Sequence, residues 1–249
     1  MAKSFIYDSI GFTESTITDG NTAGGTFSSS DTITNESRAT DMSISTAITA
    51  FGVVNTIRFD LGSSKSADII ALYFSATETS NLTLYAHASS ATDAGTSIEV
   101  MTSTFTAGWN VFDFSSTSNR YWFLVSTSGS IENLTEVIIG KKYDFDINFD
   151  LNNKTDEEFA TDIATSYSGN EYANKRHNPK TTWSWNWPNI SSSMKTSLEG
   201  VRDSVQDNKK FLYYDETSYH YVRMVSPMDF TEVAHQRYST NIKLREQLA

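Results

Sequence analysis

The 249-residue chain contains no cysteine and only three prolines. Without cysteine there is no disulfide scaffold and no thiolate metal site. No apolar run reaches the roughly 20 residues of a membrane-spanning helix. Met1 to Asp8 hold no apolar stretch of signal-peptide length, so the expectation is a soluble chain made in a cytoplasm, without membrane insertion. Positive charge is scarce: 19 Lys and Arg face 30 Asp and Glu, for a net charge of −11. A surface of that sign repels phosphate backbones, so no nucleic-acid partner is expected.

What is plentiful is aromatic and hydroxyl-bearing. Phe, Tyr and Trp make up 13% of the residues, and with abundant Ser and Thr they favour strands over helices. Before Arg120 the only basic residues are Lys3, Arg38, Arg58 and Lys65, whereas after Lys141 charge density rises and tryptophans cluster. That shift places a domain boundary at Gly140, giving domains 1–140 and 141–249.

In the first domain, short apolar segments alternate with turn signals. Met42, Ile44 and Ile48 alternate, and Val54, Ile57 and Phe59 lead to an expected turn at Gly62. Ile69 to Phe74 is continuously apolar, which suits a strand covered on both faces. Leu82, Leu84 and Ala86, then Phe112 and Phe114, then Tyr121 to Val125 and Val137 to Ile139, complete a set typical of a sandwich or jelly roll. The Ser/Thr-rich stretch from Ser15 to Thr49 is expected to be an arm that orders on assembly.

In the second domain, Tyr143, Phe145, Ile147, Phe149 and Leu151 predict one face of a strand. Asn153 to Thr182 is weakly patterned and predicts a long loop with a helical turn around Glu157 to Thr165. Trp183, Trp185 and Trp187 share a strand face ended by Pro188. Ile190, Met194, Leu198, Val201 and Val205 form one helical stripe, so a helix is expected at about 190–207, capped by Ser191 to Ser193. A hairpin is expected around Asp215 to Ser218 and a last strand from Ala234 to Glu246. The three indoles are expected to pack on the helix stripe, with a subunit interface or a sugar-stacking platform as the alternatives.

Chemistry-bearing patterns are sparse. Asp144, Asp146, Asn148 and Asp150 have the spacing that opens a calcium loop, but Phe149 and Thr155 stand where glycine and glutamate are required. His87, His177, His220 and His235 match no zinc-site spacing, and neither a nucleophile elbow nor a phosphate-cradling glycine loop is present. No catalytic, cofactor-binding or metal residue is therefore assigned, and the chain is not expected to be an enzyme. Trp109, at a strand entrance after Ala107-Gly108, is the candidate ligand-binding aromatic.

Two segments resemble known families. Ile57-Arg58-Phe59-Asp60-Leu61-Gly62 with Ala67 to Leu72, Asn119 to Leu124, and Glu136 to Gly140 resemble the discoidin-like, galactose-binding-like jelly roll over residues 40 to 140. Trp185-x-Trp187, the helix, Lys209 to Asp215, Tyr221 to Met224 and Arg237 to Glu246 resemble bacteriophage minor tail and distal-tail (baseplate) proteins. Together the resemblances imply a mainly β chain, with a jelly-roll sandwich followed by a β-sandwich domain carrying one helix. They imply a structural component of a virion tail, synthesised in the host cytoplasm, that acts by assembly into a ring-like homo-oligomer such as a hexamer. Its partners would be other phage tail proteins. The alternative is a carbohydrate-binding adhesion module that recognises a host glycan.

Overall fold

The computed structural model describes residues 2–7, 16–19, 33–34, 43–45, 49–50, 55–89, 96–101, 104–128, 131–151, 153–206 and 209–247. Met42, Ile48 and Val54, and most of the Ser15 to Thr49 stretch, lie outside them. The chain is mainly β, with one helix among the described residues, in two compact units: Asp8–Lys142, and Met1–Tyr7 together with Tyr143–Leu248. Strand β1 (Ser4–Tyr7) thus departs from the expected grouping of residues 1 to 140, because it pairs within the second unit and is described there.

The Asp8–Lys142 unit contains β2 (Thr16–Asp19), β3 (Ile33–Thr34), β4 (Thr49–Ala50), β5 (Asn55–Phe74), β6 (Asn81–His87), β7 (Thr96–Met101), β8 (Gly108–Ser128) and most of β9 (Leu134–Asp144). Pairing is antiparallel in the order β9-β5-β8-β6-β7, with β2 also on β5 and β3 paired with β4. Two long strands, β5 and β8, organise the unit. Ile57, Phe59 and Leu61 of β5 point into the core, and so do Ile70, Leu72 and Phe74. Side chains alternate strictly along a strand, so odd positions cannot give way to even ones without an interruption. Register shifts between Asp60 and Lys65 and between Ala67 and Ile69 provide it. The turn expected at Gly62 is therefore a distortion inside one continuous strand.

Beyond that distortion β5 pairs with β9, and before it with β2, so the same two long strands serve two layers. Between the layers lies one core containing Leu82, Leu84, Met101, Phe105, Trp122, Leu124, Val137 and Ile139. Burying each large apolar side chain contributes about 1.5–3 kcal/mol, which is why a chain so rich in Ser and Thr still folds. The run Ile69 to Phe74 is buried except at half-buried Tyr73, as its position between β8 and β9 requires.

The second unit contains β1, β10 (Lys154–Glu158), β11 (Thr161–Thr165), β12 (Glu171–Lys175), β13 (Lys180–Ser191), α1 (Ser192–Val205), β14 (Lys210–Tyr214), β15 (Tyr219–Met224), β16 (Phe230–Ala234) and β17 (Arg237–Glu246). Its sheet runs β10-β13-β17-β15-β14-β1, with β16 on β17 and β11-β12 forming a separate hairpin. β1 joins because Phe5, opposite Tyr213, inserts among Phe145, Trp185 and Phe211.

Helix α1 covers the tryptophan face. Trp183, Trp185 and Trp187 share a core with Met194, Leu198, Val201 and Val205, the packing expected from the sequence. The Ser191 hydroxyl accepts from the Met194 amide at 3.2 Å, satisfying one orphan donor of the first turn. Ile190 contributes to the same core from the end of β13 rather than from the helix. Pro188 does not end the strand: a register shift between Trp187 and Ile190 lets pairing resume beyond it.

Three expectations for this unit are corrected. The loop expected over Asn153 to Thr182 holds three complete strands, with no helical turn at Glu157 to Thr165. Its polar strands lack the apolar face by which a strand is recognised. The strand expected over Tyr143 to Leu151 ends at Asp144. Beyond it Phe145 turns inward and Phe149 stacks on Trp185 at 4.5 Å, whereas Ile147 and Leu151 are exposed. The Trp187 indole N–H donates to the Ile147 carbonyl, fixing the bend. The last strand begins at Arg237 rather than Ala234: Ala234 ends β16, and a tight turn at Gln236, whose φ is 56°, joins it to β17, leaving Ala234 exposed while Ile242 and Leu244 are buried.

Candidate functional site

A concavity among the described residues of the Asp8–Lys142 unit lies where β8 passes through its distortion. Asp113 pairs with Ile69 and Thr117 with Ala67, so Phe114, Ser115 and Ser116 stand opposite Asp68 alone. Extra residues on one strand bend it and re-aim its side chains, and such bulges often border binding sites. Here the bulge and the edge strand β7 border an open groove of about 710 Å³. Ser97, Ile98 and Glu99 line it from β7, and Asp113 through Thr117 from β8.

The walls are held from outside the groove. Ser116 shares a hydrogen bond with Ser66 at 3.1 Å, and Asn119 donates to the Thr117 hydroxyl at 3.0 Å. Arg120 grips Asp60 through two hydrogen bonds of 2.8 and 3.1 Å, and the Trp122 indole donates to the Asn119 carbonyl. Phe114 is half-buried, packing on the core and 6.0 Å from the Trp122 ring. It thus offers the groove an apolar patch on a rigid support.

The charge that lines the groove is carboxylate, Glu99 and Asp113, and one of the two is paired with a lysine beside the groove. The Lys142 ammonium donates to Asp113 at 2.9 Å, and the Lys142 amide donates to Asp68 at 2.8 Å. Burial pushes the Asp68 carboxyl above the usual range, the Lys142 amide opposes that, and the nearby Asp113 charge adds to the rise. Glu99 adds another carboxylate to the rim. The arrangement can accept hydrogen bonds from hydroxyl or ammonium groups, exchange them through its Ser and Thr hydroxyls, and pack an apolar face on Phe114.

Trp109 is not brought into this groove. It lies opposite Tyr73, half-buried, with the rings edge-on at 5.1 Å. Asn110 fastens the adjoining turn by donating to the Thr106 and Gly108 carbonyls and accepting from the Thr106 amide. The sequence approach missed the groove because its signal is the register of two strands, not a motif.

Other chemistry-bearing residues are scattered. His87 accepts from the Ser89 amide, and His177 pairs with the Asn178 carbonyl. His220 bonds Asp215 at 3.0 Å and packs against Trp183 and Tyr213. His235 lies in the turn between β16 and β17, not in a strand. Among the described residues no group of three or more His, Asp or Glu side chains is placed to hold a metal ion. This includes the series from Asp144 to Asp150, although that segment is not the strand once expected.

The fold and groove define a mainly β chain with a sandwich unit that carries an open, hydroxyl- and carboxylate-lined cleft. No protein family matches the chain, and no curated protein is similar to it. Among solved structures, it is similar to chitosan-binding module 1 of a chitosanase/glucanase from Paenibacillus sp. IK-5, at 21% identity over 53% of this chain and 97% of that one, TM-score 0.41. A CBM32 of AlyQ in complex with 4,5-unsaturated mannuronic acid matches at 21% identity over 51% and 95%, TM-score 0.39. A CBM32 from Clostridium perfringens in complex with GalNAc-β-1,3-galactose matches at 14% identity over 51% and 95%, TM-score 0.40. The ligands are those proteins' own.

Proposed function

We propose that the chain is a non-catalytic, carbohydrate-binding adhesion protein whose ligand lies in the groove between β7 and the bulge of β8. The observation that carries this reading is the groove's composition. Four hydroxyls and two carboxylates surround a rigid half-buried aromatic in an open cleft of about 710 Å³. Sugars present hydroxyl edges and apolar faces, and sites for small molecules combine apolar surface with a few placed polar groups. Carboxylates in the groove and a net charge of −11 disfavour uronates and other anionic glycans. The preferred ligand is a neutral or amino-bearing oligosaccharide.

The test is binding of the full chain to neutral, amino-bearing and uronic oligosaccharides, with Glu99→Gln and Asp113→Asn as variants. The expected result is saturable binding to the first two classes, weakened at least tenfold, about 1.4 kcal/mol, by either substitution. Binding to uronates alone, or binding indifferent to both substitutions, overturns the reading.

A second reading is a structural component of a bacteriophage tail or baseplate, acting by assembly in the virion. It is supported by the resemblance of the 141–249 segment to tail proteins and by a hairpin of the second unit that is exposed on both faces. The two readings are compatible, since an assembled particle can carry an adhesion module.

A further inference from the structure

Lys142 brings a positive charge to the groove without lining it. Its backbone lies in β9, two residues beyond Gly140, which pairs with Ile69 of β5. On the other side of β5 the same Ile69 pairs with Asp113 of β8. The Lys142 side chain therefore crosses the middle strand, and its ammonium donates to Asp113 Oδ2 at 2.9 Å. Neighbouring strands lie about 4.8 Å apart, so only a long side chain can make that crossing.

The crossing falls where β5 is irregular. Its pairing with β8 shifts between Ala67 and Ile69, and Asp68, the residue in that gap, accepts from the Lys142 amide at 2.8 Å. That bond fixes the backbone from which the side chain sets out. The Lys142 side chain is 21% exposed and that of Asp113 58%. The lysine is thus largely covered, while the carboxylate it holds stays open to the groove.

A carboxylate has about four lone-pair sites, so Asp113 can hold Lys142 through Oδ2 and still accept from a ligand hydroxyl. A ligand ammonium meets a different situation. It competes for Asp113 with a counter-ion tethered beside it, which acts at a high effective concentration. Two like charges a few ångströms apart also repel. The pair is open to solvent and therefore weak, which keeps the exchange measurable. Without Lys142, Asp113 and Glu99 together leave two uncompensated charges lining the groove to receive an ammonium.

We propose that Lys142 sets the selectivity of the groove: as the standing counter-ion of Asp113 it favours a neutral sugar over an amino-bearing one, and its removal shifts that preference toward the amine. This role rests on the glycan reading of the groove, which treats the two ligand classes alike, and it ranks them.

The experiment is calorimetric titration of the full chain with a β-1,4-linked glucosamine trimer, its amines protonated, and with the N-acetylated trimer, which lacks the charge. The wild type is compared with Lys142→Gln, Lys142→Arg, Glu99→Gln, and Lys142→Gln combined with Asp113→Asn. The wild type is expected to bind the acetylated trimer more tightly. Lys142→Gln is expected to strengthen binding of the amino trimer about three- to tenfold and to leave the acetylated one within about twofold. Lys142→Arg should keep the wild-type ratio, and adding Asp113→Asn should cancel the gain. A wild type that prefers the amine, a ratio unchanged in Lys142→Gln, or an equal change for both sugars overturns the proposal. If Glu99→Gln weakens the acetylated trimer while Lys142→Gln leaves the ratio alone, the groove reading stands and the role of Lys142 falls. If neither trimer binds any of the proteins, both fall together.

Discussion

Two aromatic-bearing segments of the second unit, β13 and the hairpin β11–β12, have opposite fates. In β13, Trp183, Trp185 and Trp187 are at most 7% exposed, while in and beside the hairpin Tyr167 and Tyr172 stand in solvent. Both are antiparallel strands. What differs is the second layer: α1 lies over the indoles, and neither face of the hairpin is covered by a comparable element. Strand alternation selects a face, and a second layer decides whether that face becomes core.

The largest expected effect on this comparison comes from Trp185→Ala. The indole contacts Phe5, Phe149 and Tyr213, and its removal is expected to cost about 3–5 kcal/mol in chemical denaturation. A loss below about 1 kcal/mol would mean that the tryptophan face is not the core of this unit.

A smaller effect comes from Asp215, in the turn between β14 and β15. Burial pushes its carboxyl up. The hydrogen bonds from Thr217, His220 and Ser218 together outweigh burial and hold it well below the usual carboxylate range. A depressed carboxyl contributes stability above the unfolded value near 3.8, and that contribution is lost as pH falls through the folded value. Asp215→Ala is expected to cost on the order of 1–2 kcal/mol at neutral pH. Melting curves of variant and wild type should converge as the solution is acidified below about pH 4; a gap that widens instead would reverse the assigned sign.

Next comes Ser191→Ala, which removes the hydroxyl that caps α1 and should lower stability by about 1 kcal/mol, with Ser191→Asp retaining it. Smallest is Tyr172→Ser, expected to change monomer stability by no more than about 0.5 kcal/mol. A loss comparable to that of Trp185→Ala would erase the distinction between the two segments.

The contrast also explains what was legible in the sequence. The stripe from Met194 to Val205 and the apolar run Ile69 to Phe74 carry periodicities that only a covered helix and a central strand produce. Trp122, deep in an apolar run, was recognisable as core for the same reason. The pairing of Ser4 to Tyr7 with Lys210 to Tyr214 was not, because partners some 200 residues apart leave no local mark. The hairpin from Thr161 to Lys175 looked like a loop because exposed strands need no apolar face. The groove was hidden for a related reason: Phe114, Ser115 and Ser116 form a bulge only relative to β5. Trp109 was conspicuous in the sequence as an aromatic at a strand entrance; the structure places it against its cross-strand partner Tyr73, away from the groove.

The most direct test of the central claim is a nuclear magnetic resonance titration of the full chain with a neutral or amino-bearing oligosaccharide, following each backbone amide. The account predicts concentration-dependent shifts concentrated in residues 97–99 and 113–117, with the 161–175 hairpin unmoved. Shifts confined to the surroundings of Trp109, or to the second unit, would contradict it.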